Sequence, residues 1–235
     1  MRNLLALIAK KNHPCQKSEK TTTFLNPYSY LIARKNVRLF SGFDEIYCDG
    51  FALVFFLKMI GIKTTRLSFD MTSIAPEVFE RASKNKSSVF FVGGSEGVSK
   101  AAVLELLKEF PGLHVSGTLS GFFSSPQERE ILIKRIADLN PEFLICGMGA
   151  PHQEKFIMDL AELGWRNSGY TCGGFFHQTA KTGIKYYPDW INKYNLRWLY
   201  RMYDEPKLIK RYFFFYPVFV IYFIIDTIKY KFKLD

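Results

Sequence analysis

The residue best placed to do chemistry in this chain is Asp49, which follows the apolar run Ile46-Tyr47-Cys48 and precedes Gly50. A carboxylate at a strand end stands at the rim of a fold, is ionised at neutral pH at its ordinary pKa of about 3.9, and can accept a proton from an attacking hydroxyl. The same Asp-Gly pair also serves simply to turn a chain. A second candidate is "ICGMGAPHQEKF", in which an apolar run passes through Gly147 and Gly149 into a helix opened by Pro151. Glycines there bare backbone N–H groups beside the positive end of a helix, which suits an anion such as a diphosphate. Gln153 and Glu154, in the first turn of that helix, either face solvent or hold a sugar hydroxyl. Arg66, after "IGIKTT", either clamps a phosphate or pairs with Asp70.

Other chemistries lack their residues. The histidines, at 13, 114, 152 and 177, show no metal-ligand spacing, and there is no Asp-x-Asp stretch, so metal-independent chemistry is expected and no cofactor is called for. No GxSxG and no Cys beside a His supports a nucleophilic hydrolase. The glycines near 147 form no Walker loop and lack the third member of a dinucleotide fingerprint, which disfavours a nicotinamide- or methyl-donor-dependent enzyme. Cys15, Cys48, Cys146 and Cys172 are widely separated, which points to a reducing cytoplasm rather than to disulfides or zinc.

These side chains need a scaffold, and the pattern supplies one. Six short apolar runs ("TTTFL", "EIYCDG", "SSVFFVGG", "LHVSGTLSG", "PEFLICGMG" and "YTCGGFF") alternate with helical patterns, except that the last leads into a polar loop. Strand followed by helix, repeated, predicts an α/β fold: a mostly parallel, Rossmann-like sheet with helices on both faces, over residues 21–187. Ligands of such sheets bind beyond the carboxyl ends of the strands. The residues there are Asn26, Asp49-Gly50, Gly93-Gly94, Gly121, Gly147 to Gln153, and Gly173-Gly174. Before the sheet, residues 1–20 read as a weakly ordered arm, too short in apolar sequence for a secretion signal.

Residues 188–235 form a basic, aromatic helical appendage. Of the net charge of +10, residues 181–235 carry +6, from eleven Lys/Arg and five Asp/Glu. Lys193, Arg197 and Arg201 share one helical face, while Ile191, Tyr194, Trp198 and Met202 make another. Asp204 is positioned to cap a second helix opened by Pro206, with Lys207, Lys210 and Arg211 on one side. The run Tyr212 to Ile225 is fourteen residues without a charge, interrupted by Pro217, and short of the roughly 20 residues that cross a bilayer. Aromatic residues among cations favour an anionic membrane surface, and no nucleic-acid-reading motif is present.

In combination, "FLNPYSY", "YCDG", "VFFVGG", "GMGAPHQEKF", "CGGFF...TG" and "LRWLYRMYDEPKLIKR" make residues 22 to 212 resemble the WecG/TagA/CpsF glycosyltransferases, glycosyltransferase family 26. The resemblance implies an inverting, metal-independent enzyme that moves an N-acetylhexosamine-type sugar from a UDP-sugar donor to an undecaprenyl-diphosphate-linked sugar for cell-surface polysaccharide. It implies a peripheral location on the cytoplasmic face of the membrane. Asp49 matches the family's proposed general base, and Asn26, Arg66 and Gln153 match its active-site positions. Arg201 and Arg211 match basic residues of a tail thought to close over the site. Where the family has Thr or Ser two residues before the asparagine, this chain has Phe24, with Thr23 adjacent; an Arg-Ala-Pro triplet reads Tyr186-Tyr187-Pro188. These departures keep an alternative in view: a catalytically inactive, membrane-associated binding or scaffold protein on the same fold. Oligomeric state, a homo-oligomer included, is left open by the sequence.

Overall fold

The computed structural model describes residues 3–188, 190–191 and 196–233. Lys193 of the expected basic face and Tyr194 of the opposite one lie outside the described residues, as does the side chain of Lys207. The centre is one six-stranded, all-parallel sheet built from β1 (Thr21–Leu25), β2 (Glu45–Cys48), β3 (Ser88–Gly93), β4 (His114–Leu119), β5 (Phe143–Gly147) and β6 (Ser168–Thr171). Its order is β2-β1-β6-β5-β3-β4. Five of the six expected apolar runs each hold a strand; of the sixth, Tyr170 and Thr171 end β6 while Phe175 and Phe176 are helical, and the α/β reading holds. Register sets Leu25 beside Cys48 and Gly93 beside Gly147, so Asn26, Asp49, Gly94 and Met148 emerge from one edge.

Alternation along the strands sends successive side chains to opposite faces. Val89 and Phe91 join one core with α5 (Ile74–Asn85), α6 (Val98–Glu109) and α9 (Phe175–Thr182). Phe90 and Val92 join the other, with α2 (Pro27–Lys35), α3 (Val37–Ser41), α4 (Phe51–Met59), α7 (Pro126–Leu139) and α8 (His152–Glu162). β3 connects through α6 outward to β4, while its neighbour β5 connects through α8 the other way to β6. Right-handed crossovers in opposite directions place the two helices on opposite faces and open a crevice between the ends of β3 and β5. Glycine is required at that point: a Cβ on Gly93 would stand 2.3 Å from the Gly147 carbonyl oxygen.

Three parts of the chain differ from their expectation. Residues 4–11, read as part of a weakly ordered arm, are a helix, α1 (Leu4–Lys11), capped by the Asn3 side chain, with Leu4, Leu5, Leu7 and Ile8 buried in the core. Residues 177–182, read as the start of a polar loop, belong to α9, which the Phe175-Phe176 end of the last apolar run begins; Phe175, Phe176 and Thr179 are buried. Asp204 ends α10 (Arg197–Asp204) instead of capping the next helix; its carboxylate accepts hydrogen bonds from Lys181 and the Tyr186 hydroxyl.

The apolar tail is also longer than its charge-free run. A 3-10 turn (Pro206–Leu208) and a π-helical turn (Arg211–Phe215) lead into α11 (Tyr216–Phe232), with Pro217 in its first turn, directly after the π-helical turn. Arg211–Phe232 is 22 residues, enough by length and composition to cross a membrane. One side of it is nevertheless packed on the protein. Phe219 and Phe223 are buried against Tyr30 and Phe56, and Asp226 pairs with Arg34 at 2.8 Å and accepts from the Tyr30 hydroxyl at 2.9 Å.

Candidate active site

Asp49 continues the β1–β2 ladder, its N–H donating to the Leu25 carbonyl at 2.7 Å, and Gly50 follows with φ +99°, a conformation that favours glycine. The chain then turns into α4, leaving the Asp49 carboxylate at the strand-end rim with a third of the side chain open. Arg66 arrives from a segment bridged to the end of β2, where the Leu67 N–H donates to the Cys48 carbonyl. Its Nη2 reaches Asp49 Oδ1 at 3.2 Å and Asp70 Oδ2 at 2.9 Å. Arg66 therefore contacts both carboxylates, not Asp70 alone.

The two carboxylates are held differently. Asp70 accepts from the hydroxyls of Ser68 and Thr72, at 2.6 Å each, and from Arg197 at 3.2 Å. Burial alone would raise it, but those hydroxyls and the two arginines outweigh burial and hold it below the ordinary carboxylate range. Asp49 shows the opposite balance: burial pushes its carboxyl up, Arg66 opposes this without cancelling it, and Asp70 adds to the rise. Two neighbouring acids driven apart in this way divide their roles. Asp70 is a fixed anion that orients arginines, and Asp49 is the more basic carboxylate of the two, with Arg66 its hydrogen-bond donor among the described residues.

The C-terminal tail roofs this rim. Arg197 of α10 reaches Asp70 and Thr72, and its guanidinium stacks over the Tyr187 ring at 4.9 Å. Arg201, one turn on, lies over the end of β6: its Nη2 is 3.3 Å from where a Cβ on Gly174 would stand. Its Nε is buried without a hydrogen-bond partner among the described residues. An orphaned guanidinium N–H is a donor that an anion in the cleft would satisfy. Arg211 stacks over Tyr28 at 4.4 Å, just past Asn26.

The remaining candidates divide between the rim and the layer beneath it. Asn26 stands beside Gly50, but its side-chain oxygen is committed to a capping box, accepting from the N–H groups of Tyr28 and Ser29. Gly94 (φ +69°) donates its N–H to the Gly147 carbonyl, and Gly149 (φ +74°) is exposed at the entry to α8, which has no side-chain cap. Gly147 is buried; a Cβ there would meet Cys172 Sγ at 2.8 Å. Thr23, Gln153 and Glu154 lie below the rim. The Thr171 hydroxyl donates to Thr23, Thr23 and the Gln153 amide both donate to Glu154 Oε1, and Gln153 Oε1 accepts the Gly173 N–H. Glu154 is fully buried, with Oε2 unpartnered among the described residues, and burial pushes its carboxyl up. Gln153 and Glu154, read as facing solvent or a sugar, are instead buried: Glu154 braces the floor with Thr23, a candidate substrate contact, and Gln153 holds the glycine loop after β6.

Among the described residues no group of three His, Cys, Asp or Glu side chains is placed to hold a metal ion. All four cysteines are free thiols, three of them buried.

The model of the glycosyl transferase WecG/TagA/CpsF family matches residues 1–233. The chain belongs to this family. The match extends past the motif-bearing region to include α1 and α11, the two helices that pack on each other at the chain ends. A relative from Shigella boydii, UDP-Gal:alpha-D-GlcNAc-diphosphoundecaprenol beta-1,4-galactosyltransferase, is 37% identical over 207 residues, 88% of this chain and 86% of the relative. The N-acetylglucosaminyldiphosphoundecaprenol N-acetyl-beta-D-mannosaminyltransferase of Bacillus subtilis (strain 168) is 28% identical over 86% of this chain and 78% of its own length. Its counterpart from Bacillus spizizenii (strain ATCC 23059 / NRRL B-14472 / W23) is 26% identical over 79% and 72%. This WecG/TagA/CpsF-family protein is a glycosyltransferase, and Asp49, Arg66, Asp70, Arg197 and Arg201 form its candidate centre. Asp70 and Arg197 were not singled out as site residues from sequence. The signal for Asp70 was its i+4 spacing from Arg66, and for Arg197 its helical face shared with Arg201.

Proposed function

We propose that this glycosyltransferase moves a sugar from a UDP-sugar to an undecaprenyl-diphosphate-linked sugar, with inversion and without a metal ion, while seated on the anionic cytoplasmic face of a membrane. The observation that carries the reading is the environment of Asp49: a carboxylate raised by burial with a third of its side chain open, at the rim of a glycine-lined crevice, under a tail of arginines. In the proposed step Asp49 takes the proton of the acceptor hydroxyl while the hydroxyl oxygen bonds to the anomeric carbon and the bond from that carbon to the UDP oxygen breaks. A raised pKa makes it a stronger base than an ordinary carboxylate. The charge on the departing diphosphate falls to the N–H groups of the glycine loops and to Arg201, whose Nε awaits an acceptor.

The membrane seat rests on α11. Its packed side is buried on the body, and the rest is apolar and exposed, Ile221, Ile224 and Ile228 among it, with Lys210 and Arg211 before it and Lys231 and Lys233 at its end. Cations beside anionic headgroups contribute about 1 kcal/mol each. A buried, paired Asp226 favours a helix lying on the surface over one that crosses the bilayer. Release from vesicles by alkaline carbonate is the expected behaviour, and retention after that wash would show a span.

The donor is left at UDP-hexose or UDP-N-acetylhexosamine, since one relative is named for galactose and two for N-acetylmannosamine. The test is a panel containing both, offered with a polyprenyl-diphosphate-linked N-acetylglucosamine, with and without EDTA. Product from one donor at a rate unchanged by EDTA is expected. No product from any donor would favour the inactive scaffold, and loss of product with EDTA would remove the metal-free step.

A further inference from the structure

α4 does not have the composition of a surface helix. Leu53, Val54 and Leu57 fill the core side, yet the outward positions are Phe51, Phe55 and Met59, exposed by 67%, 48% and 66%. Lys58 is the one charged residue in the nine. An amphipathic helix beside water carries polar residues on that face. The three apolar side chains recur at i, i+4 and i+8, so they form one ladder about 12 Å long.

Two further observations say what covers it. The ladder starts two residues after Asp49, so whatever lies along α4 extends away from the candidate base. It is also continuous with the tail. Phe51 stacks on Phe55 at 6.2 Å, Phe55 meets Phe56 edge-on at 5.6 Å, and Phe56 packs on Phe219 and Phe223 of α11 at 5.5 and 5.4 Å. An apolar path therefore runs from the reacting rim to the helix proposed to lie on lipid.

We infer that the outward face of α4 seats the first isoprenoid units of the acceptor, holding the lipid chain between the bilayer and Asp49. The inference rests on the proposed lipid-linked acceptor and adds its chain-binding site. The sugar and diphosphate stand between the reacting hydroxyl and the first isoprene, so the chain meets the helix beyond its first turn, at Phe55 and Met59. An apolar chain of this kind is bound by area removed from water and not by hydrogen bonds, which matches a face built of two phenylalanines and a methionine.

The test compares two acceptors with the same sugar diphosphate, one carrying a polyprenyl chain and one a short alkyl group, in detergent solution. Phe55→Ser with Met59→Ser is expected to lower the ratio of kcat/KM for the long to the short acceptor about tenfold. In the native protein, a polyprenyl acceptor bearing a photoreactive group near its diphosphate end is expected to label the peptide containing residues 51–59. An unchanged ratio with no labelling would overturn the inference, whether the variant loses vesicle binding, which would assign the face to bulk lipid, or changes oligomeric state, which would assign it to a second copy. If the native enzyme used neither acceptor, the parent reading would fail and this one with it; use of both with an unchanged ratio would sink the chain seat alone.

Discussion

Replacing Arg34 by methionine removes the cation from the Asp226 carboxylate, whose side chain is 8% exposed and is held at 2.8 Å. It also removes a guanidinium that stacks over Tyr222 at 4.3 Å. Breaking a buried pair from one side strands a charge and costs about 3–5 kcal/mol. Arg34 itself is a quarter exposed and the Tyr30 hydroxyl still donates to Asp226, so the lower end, about 3 kcal/mol, applies. Tyr30 stays a donor throughout, because burial first and Asp226 second push its hydroxyl up. For a chain of this length each kcal/mol moves the melting temperature by about 2–4 °C, which gives a fall of about 6–12 °C. Circular dichroism melts would record it, with hydrogen exchange rising first in α11 and α2. Removing both charges, with Arg34→Met and Asp226→Leu together, should recover at least half of the loss, since no buried charge is left alone. A single-variant shift under about 2 °C, or a double variant as unstable as the single, would refute the argument that this pair anchors the tail to the body.

Other expectations are briefer. Arg66→Met removes the main group that lowers the Asp49 pKa, so the acid limb of the kcat/KM profile should move to higher pH; activity is lost as pH falls through the raised value, and a limb that stays put or moves down contradicts the pairing. Glu154 has a folded-state carboxyl raised by burial, so the stability it gives is full below the unfolded pKa of about 4.3 and is lost as pH rises toward the folded value. Glu154→Gln keeps an oxygen for Thr23 and Gln153 and should gain stability over the native chain as pH rises, whereas Glu154→Ala should cost about 2–4 kcal/mol in urea titrations. Gly147→Ala drives a methyl against Cys172 and Phe176 and should destabilise by more than Gly149→Ala, which meets no atom within 4 Å and bears only the left-handed strain of about 1 kcal/mol. Equal melting temperatures for the two would contradict the packing described at the end of β5.

The strands were legible because each is a short apolar run closed by glycine or a polar residue, and a parallel sheet buried on both faces needs little else. Asp49, Arg66 and the glycines were legible for the same reason: strand ends are where such a sheet exposes chemistry. What escaped notice depends on partners far away in sequence. Nothing near Asp70 announces Arg197, 127 positions on, and nothing near Glu154 announces Thr23, so a residue in the first turn of a helix read as surface proves to be buried. Leu4 to Ile8 looked too short to matter because the tail that covers them starts more than two hundred residues later. Pro217 read as an interruption because only the structure shows the π-helical turn that leads into it at the start of α11.

The most direct test of the central claim is the turnover of Asp49→Asn on a lipid-linked acceptor at saturating UDP-sugar. Asparagine is nearly isosteric but cannot take a proton, so kcat should fall about 10²–10⁴-fold while UDP binding, read by thermal shift, persists. A variant that turned over within about threefold of the native enzyme, with the same donor affinity, would show that Asp49 is not the base.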